Sequence, residues 1–167
     1  STPDLKPTVI ENLIENTLAL IRPEAVNKKV TIVTDFKTNN TMLNVDGQQI
    51  QQAVLNLCLN AIDAMAGGGK LKISTDVTPG VNRNLTAMST PGVTQRLIIS
   101  VTDTGCGIPP DKIKNLFNPF YTTKENGTGL GLMITKEIVE KHKGKIDVKS
   151  EVGKGTEFMI TLPVGKI

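Results

Sequence analysis

Asp103-Thr-Gly-Cys-Gly-Ile-Pro109 and Gly127-Thr-Gly-Leu-Gly-Leu132 are two glycine-punctuated loops in a chain of 167 residues. The first starts with a lone carboxylate at the end of the apolar run Leu97-Ile-Ile-Ser-Val-Thr102, and its glycines would let a flat ligand approach the backbone. The second leads into a helix-like stretch, Leu130 to Lys143, whose first-turn amides and positive dipole end would face an anion. A carboxylate for a base and amides for phosphates together predict a nucleotide pocket. Any one of these glycines could equally serve only to shape a turn.

Neither common phosphate signature accounts for the loops. A dinucleotide fingerprint requires Gly-x-Gly-x-x-Gly after a strand, whereas Gly127, Gly129 and Gly131 run Gly-x-Gly-x-Gly after the polar stretch Thr122 to Asn126. A Walker A loop requires Gly-Lys-Ser/Thr, but the Gly-Lys pairs at Gly69 and Gly153 are followed by Leu71 and Gly155.

The stretch from Asp46 to Met65 reads as a helix, and its second half, Val54-Leu-Asn-Leu-Cys-Leu-Asn-Ala-Ile-Asp-Ala-Met65, is apolar nearly all round, which predicts burial. At ~100° per residue, Gln49, Gln52, Asn56, Asn60 and Asp63 share one wedge about 80° wide. Burying such groups without partners costs on the order of 1 to 3 kcal/mol each, so the wedge predicts water, a ligand or a metal in front of it. An amide oxygen such as that of Asn60 suits Mg²⁺, a hard cation that keeps waters while bridging phosphates. A satisfied polar network within the core is the alternative.

These segments resemble the boxes of sensor histidine kinases. Asn56-Leu-Cys-Leu-Asn60-Ala-Ile-Asp63-Ala-Met resembles the N box, and Asp103-x-Gly105-x-Gly107-Ile the G1 box. Phe117-Asn-Pro-Phe120-Tyr-Thr-Thr resembles the F box, Gly127-Thr-Gly-Leu-Gly-Leu132 the G2 box, and Ser150-Glu-Val-Gly-Lys-Gly-Thr-Glu-Phe158 the last glycine box. All five stand in the family's order over roughly Asp46 to Pro163, and the match is nearest to nitrogen-regulator-type kinases. The resemblance implies the Bergerat ATP-binding fold of the wider GHKL superfamily.

It also implies roles. Asp103 would accept the adenine exocyclic amine, selecting ATP over GTP, with Gly105 and Gly107 letting backbone approach base and ribose and Ile108 walling the base pocket. Asn60 would ligate Mg²⁺ and Asn56 would lie beside the phosphates as a catalytic residue. Gly127, Thr128, Gly129, Leu130, Gly131 and Leu132 would hold the β and γ phosphates, and Thr156 would reach adenine through water. Phe117 and Phe120 would anchor a lid running from about Asn115 to Thr128. Many relatives carry Lys where Asp63 stands; Asp63 is read as an outer-shell Mg²⁺ partner, and Lys124 as the cation that reaches the γ phosphate when the lid closes.

The acceptor histidine of such kinases sits on a separate dimerisation domain, in a motif absent from this chain, and that domain passes the phosphate to a response regulator. The only histidine, His142, sits in Glu140-Lys-His-Lys143, where a cap or surface role is expected. The chain is therefore read as the catalytic fragment of a longer kinase.

Composition is compatible. With 167 residues the chain is one domain able to bury about 70% of its unfolded surface. A net charge of +3, dispersed basic residues, four Phe, one Tyr and no Trp argue against a nucleic-acid partner. No segment approaches the ~18 apolar residues of a membrane span and no signal-peptide pattern opens the chain, so a cytoplasmic location without membrane contact is expected, anchoring of a longer parent remaining open. Cys58 and Cys106 have neither zinc nor redox spacing.

Periodicity predicts a helix from Pro7 to about Asn27 and strands over Lys29–Phe36, Lys70–Thr75, Gln95–Thr102, Lys145–Lys149 and Thr156–Leu162. The expected result is an α/β (α+β) two-layer sandwich, a mixed sheet covered on one face by helices. Asp76 to Thr94, rich in Thr, Pro, Gly and Asn, is expected to be a long mobile loop. Two further functional readings are a GHKL-type ATPase switch, which needs a glutamate on the N-box helix where Gln52, Asn56 or Asp63 stand, and an anti-sigma-type protein serine kinase.

Overall fold

The computed structural model describes residues 1–78, 95–119 and 131–164. In chain order the elements are β1 (Lys6–Val9), α1 (Ile10–Asn27), β2 (Val30–Phe36), β3 (Met42–Val45), α2 (Gly47–Asp63) and β4 (Gly69–Thr78). They are followed by β5 (Arg96–Asp103), α3 (Pro110–Ile113), α4 (Gly131–Lys141), β6 (Lys145–Glu151) and β7 (Gly155–Pro163).

Five strands form one mixed sheet in the order β2-β4-β5-β7-β6, with β2 and β4 parallel and the remaining pairs antiparallel. Period-two alternation sorts their side chains: Leu71 and Ile73, Leu97, Ile99 and Val101, and Phe158, Ile160 and Leu162 are all buried. Helices α1, α2 and α4 pack over this apolar floor, with α2 touching both other helices and β5. The opposite face has no helix among the described residues and bears a shallow hollow of about 390 Å³ between Thr78, Arg96, Ile98, Lys145 and Met159. The two-layer sandwich with a sheet covered on one face is thus the observed architecture.

Two details depart from the sequence reading. The first helix starts at Ile10 rather than Pro7, because Lys6–Val9 is a strand paired antiparallel with Met42–Val45. Pro7 locks its own φ and pushes Lys6 toward extended backbone, which suits a short edge ribbon. The loop expected from Asp76 begins later, since β4 runs on to Thr78 with Thr78 opposite Arg96; residues 79–94 of that stretch lie outside the described residues. Among the described residues no helix is long and apolar enough to cross a membrane.

Glu11, buried in the first turn of α1, ties down the connection between β2 and β3. Its carboxylate accepts from Thr38 Oγ1, from Thr41 N–H at 2.8 Å and from Thr41 Oγ1 at 2.7 Å. Burial alone would raise its pKa, but the donors from Thr38 and Thr41 outweigh burial and hold it below the ordinary value. A depressed folded pKa contributes stability that is present above the unfolded-chain value of about 4.3 and disappears as pH falls through the folded value. Glu11→Gln is therefore expected to lower stability in urea unfolding by about 1.5–3 kcal/mol at pH 7, the deficit closing as pH falls below ~4.

Candidate functional site

The inward column of β5 runs Leu97, Ile99, Val101 and then Asp103, so strand alternation carries a carboxylate into the helix-covered layer, where it is 5% exposed. Gly105 N–H donates to Asp103 Oδ1 at 2.8 Å and Thr156 N–H donates to the same oxygen at 3.2 Å. Oδ2 accepts from neither, leaving one oxygen to face a ligand donor. Burial pushes the Asp103 carboxyl above the ordinary carboxylate range, and the Gly105 and Thr156 donors offset only part of that rise.

The first glycine loop is docked on the end of α2. Cys106 N–H donates to the carbonyl of Ala64 at 3.2 Å, and a Cβ on Gly105 would lie 2.4 Å from that same oxygen. Gly107, with φ of 76°, passes so close to the β6–β7 turn that a Cβ would meet the Glu151 carbonyl at 2.2 Å. On the sides where their side chains would point, both glycines therefore admit protein backbone. Ile108, half-buried against the core, donates its N–H to Ser150 Oγ at 2.8 Å. Ser150 Oγ also lies 2.8 Å from Thr156 Oγ1 and 3.0 Å from the Gly155 carbonyl. The sequence reading quoted Ser150 without giving it a role, although Ile146, Val148 and Ser150 alternate as one half-buried face of β6 and could have marked it.

The polar wedge of α2 is present but not sealed. Asn56 and Asn60 are half-buried and Gln52 and Asp63 exposed, and Leu59 is 37% exposed, so the expectation of a wholly buried second half is corrected. Around Gln52, Asn56, Asn60 and Asp63 the wedge is a face reached by water, whereas Gln49 Oε1 at its start is buried with no hydrogen-bond partner among the described residues. Asn56 Nδ2 donates to the Gly131 carbonyl at 3.3 Å and to Thr135 Oγ1 at 3.4 Å, which ties α2 to the first turn of α4 and leaves Asn56 Oδ1 on the other side of the amide. The Asn60 amide and Asp63 carboxylate are hard oxygen donors on a solvent-reached face, and that donor set fits Mg²⁺ with its retained waters.

Among the described residues the structure sets Asp103 and Thr156 opposite one another on β5 and β7, docks Gly105 and Cys106 on the end of α2, and lays Gly107 and Ile108 against Glu151 and Ser150 of β6; Asn60 and Asp63 lie in the last turn of α2. Gly131 and Leu132 are the first described residues of α4. Lys124, Gly127, Thr128, Gly129 and Leu130, with Phe120, lie outside the described residues. Phe117 packs edge-on against Phe158, ring centroids 6.5 Å apart, with Lys136 Nζ 5.6 Å over its ring. Cys58 is inert by burial, which pushes its thiol up to about 12, whereas Cys106 is exposed in the loop.

Of the cap or surface role expected of His142, the structure shows the cap, on a buried rather than a surface ring. It is 7% exposed, its Nε2 accepts Asp46 N–H at 3.0 Å, and its Nδ1 lies 2.8 Å from the Ile138 carbonyl. A backbone N–H only donates and a carbonyl only accepts, so the ring is the neutral tautomer protonated on Nδ1. The ring clasps the end of α4 to the N-cap of α2, where Asp46 Oδ1 accepts from Gln49 N–H at 3.2 Å.

Comparison with known proteins gives the same picture from a different direction. Residues 45–166 match the family described as "Histidine kinase-, DNA gyrase B-, and HSP90-like ATPase". The chain is 36% identical over 162 residues to the sensor histidine kinase ZraS of Salmonella typhimurium, covering 96% of this chain and 31% of that kinase. It thus spans about a third of the length of the curated relatives it matches. The solved catalytic domain of the histidine kinase ThkA superposes with a TM-score of 0.79 at 27% identity, covering 96% of both chains. Full-length ShkA in complex with AMPPNP superposes with a TM-score of 0.76 at 29% identity, covering 98% of this chain and 32% of that one.

The His142 clasp has a chemical test. Gln can place an acceptor oxygen near the Nε2 position, whereas Asn reaches only as far as Nδ1. His142→Asn, which strands the buried Asp46 N–H, is expected to lose about 1–3 kcal/mol in denaturant unfolding, and His142→Gln is expected to lose less.

Proposed function

The chain belongs to the histidine kinase-, DNA gyrase B- and HSP90-like ATPase family, and on that premise we propose that it binds Mg-ATP and donates the γ-phosphate to a histidine on a separate dimerisation domain. It is then the catalytic part of a two-component sensor histidine kinase, working on the cytoplasmic side, and the phosphate passes from that histidine to a response regulator. The observation that carries the reading is Asp103: a buried carboxylate with Oδ1 held by two backbone donors and Oδ2 left to accept the adenine amine. Guanine presents a carbonyl at that edge, and two facing acceptors repel.

Each part of the nucleotide has a counterpart. Ile108 walls the base and Thr156 stands beside Asp103 as a second polar contact. Gly105 and Gly107 set the loop backbone near the base and ribose, and the Gly127–Leu132 segment with the start of α4 holds the phosphates by amides. Asn60, with Asp63 behind waters, would hold Mg²⁺, which when bound neutralises phosphate charge during transfer. Asn56 keeps α4 in place beside the phosphates, and Lys124 supplies a cation on lid closure. Catalysis is by positioning and charge shielding.

The acceptor is argued from the one histidine present. His142 is buried with both ring nitrogens engaged, so phosphate must leave for a histidine on another domain. Nucleotide hydrolysis as the main activity is disfavoured because α2 contains no glutamate to activate water.

Calorimetric titration with ATP and GTP, with and without Mg²⁺, tests this reading. Binding of ATP alone, strengthened by Mg²⁺, is expected; equal binding of both nucleotides, or of neither, would overturn it. Because burial raises the Asp103 pKa, ionised Asp103 costs folding stability once pH rises beyond the ordinary carboxylate range, so removing its charge relieves the fold. Asp103→Asn is therefore expected to melt no lower than the parent at neutral pH yet to bind ATP more weakly by over ~1.5 kcal/mol.

A further inference from the structure

We infer that Ser150 sets nucleotide specificity by fixing the direction of the Thr156 hydroxyl proton, so that Thr156 presents only lone pairs toward the base. The inference rests on the adenine-reading role of Asp103 proposed above. Ser150 Oγ has three neighbours within hydrogen-bond distance: Ile108 N at 2.8 Å, the Gly155 carbonyl at 3.0 Å and Thr156 Oγ1 at 2.8 Å. Ile108 N–H can only donate and the Gly155 carbonyl can only accept. A serine hydroxyl has one proton; if it went to Thr156, the Gly155 oxygen would face Ser150 Oγ with no hydrogen between them.

The arrangement that satisfies all three contacts has Ser150 donating to Gly155 and accepting from both Ile108 and Thr156. The single proton of Thr156 then points at Ser150, away from Asp103, whose Oδ1 the Thr156 amide already holds. Thr156 is 5% exposed and directly opposite Asp103 in the sheet, so its oxygen stays in place and only the direction of its proton is left to set. The base edge therefore meets two acceptors, Asp103 Oδ2 and Thr156 Oγ1, directly or across one water. That pair suits an exocyclic amine, which has two donors, and rejects a carbonyl, which has none. Without Ser150 the Thr156 hydroxyl is free to rotate and offer a proton, which a guanine carbonyl can accept. Ser150 is thus a positioning residue that acts through Thr156 and touches no nucleotide itself.

The experiment is a double-mutant cycle read as the ratio of GTP to ATP dissociation constants, measured by calorimetry on Ser150→Ala, Thr156→Val and the double variant, with melting curves to verify folding. Ser150→Ala is expected to lower the ratio about five- to ten-fold in the parent background and to leave it unchanged in the Thr156→Val background. Ser150→Thr, which retains the oxygen, is expected to restore the parent ratio. Should Ser150→Ala fail to fold for want of a partner for Ile108 N–H, Ser150→Cys, with a weak sulfur in place of the oxygen, is expected to lower the ratio in the same direction. A folded Ser150→Ala or Ser150→Cys protein with the parent ratio, or an equal drop in both backgrounds, would overturn the inference while leaving the adenine reading intact. A parent protein that binds ATP and GTP equally would overturn both.

Discussion

Everything in this domain depends on a sheet whose helices, among the described residues, lie on one face. Because side chains alternate along a strand, β5 and β7 send Leu97, Ile99 and Val101, and Phe158, Ile160 and Leu162, under the helices. The same alternation, continued by one more step at the strand end, sends Asp103 and Thr156 to that side as well. The layer of the candidate site and the hydrophobic core are thus one layer, and the candidate site begins where the apolar column stops. A one-residue slip in the β5–β7 register would turn the carboxylate outward together with the whole column, so core packing enforces the position of the functional group.

Helix α2 is the second fixed point. Its buried residues Ile50, Val54, Leu57 and Ile62 settle it against the sheet and the neighbouring helices by an undirected force, which leaves its exact rotation and slide to polar contacts. Three such contacts are well separated: the His142 clasp at its start, the Asn56 amide in its middle and the Ala64 carbonyl at its end. Two of them reach α4 and the third reaches the first glycine loop, so the elements assigned to phosphates and base are aligned to one common helix. Net stabilisation of about 1 kcal/mol per bond is modest beside the apolar burial, but the directionality is what apolar burial lacks.

Most of the architecture was legible because it is local. The five sheet strands and three long helices have their own periodicity, and motif order brought Asp103, Asn60 and Thr156 to one place before any coordinates. What escaped reading depends on partners distant in sequence. Lys6–Val9 is a strand only because Met42–Val45 lies beside it, and nothing in its four residues states that. The place of His142 at a helix end told of a cap but not of its burial, which comes from Asp46, 96 residues away. The wedge of α2 was rightly grouped, but the helix around it was read as more buried than it is, since helical spacing tells which residues share a face and not whether another element covers it. Ser150 was passed over because a serine in a glycine-rich turn reads as turn chemistry until the Ile108 amide is seen beside it.

The uncovered side of the sheet, with its shallow hollow between Arg96 and Lys145, separates two kinds of evolutionary change. Inner-face substitutions disturb packing and chemistry together, so they are filtered severely. Outer-face positions are graded: Arg96 and Lys145 stand exposed at the hollow while Ser100 and Thr161 are nearly buried, so only the exposed ones exchange at about ±0.5 kcal/mol. The exposed rim of that hollow is therefore a place where charge can change without disturbing the buried layer that carries Asp103, a division of labour written into the pleat of the sheet.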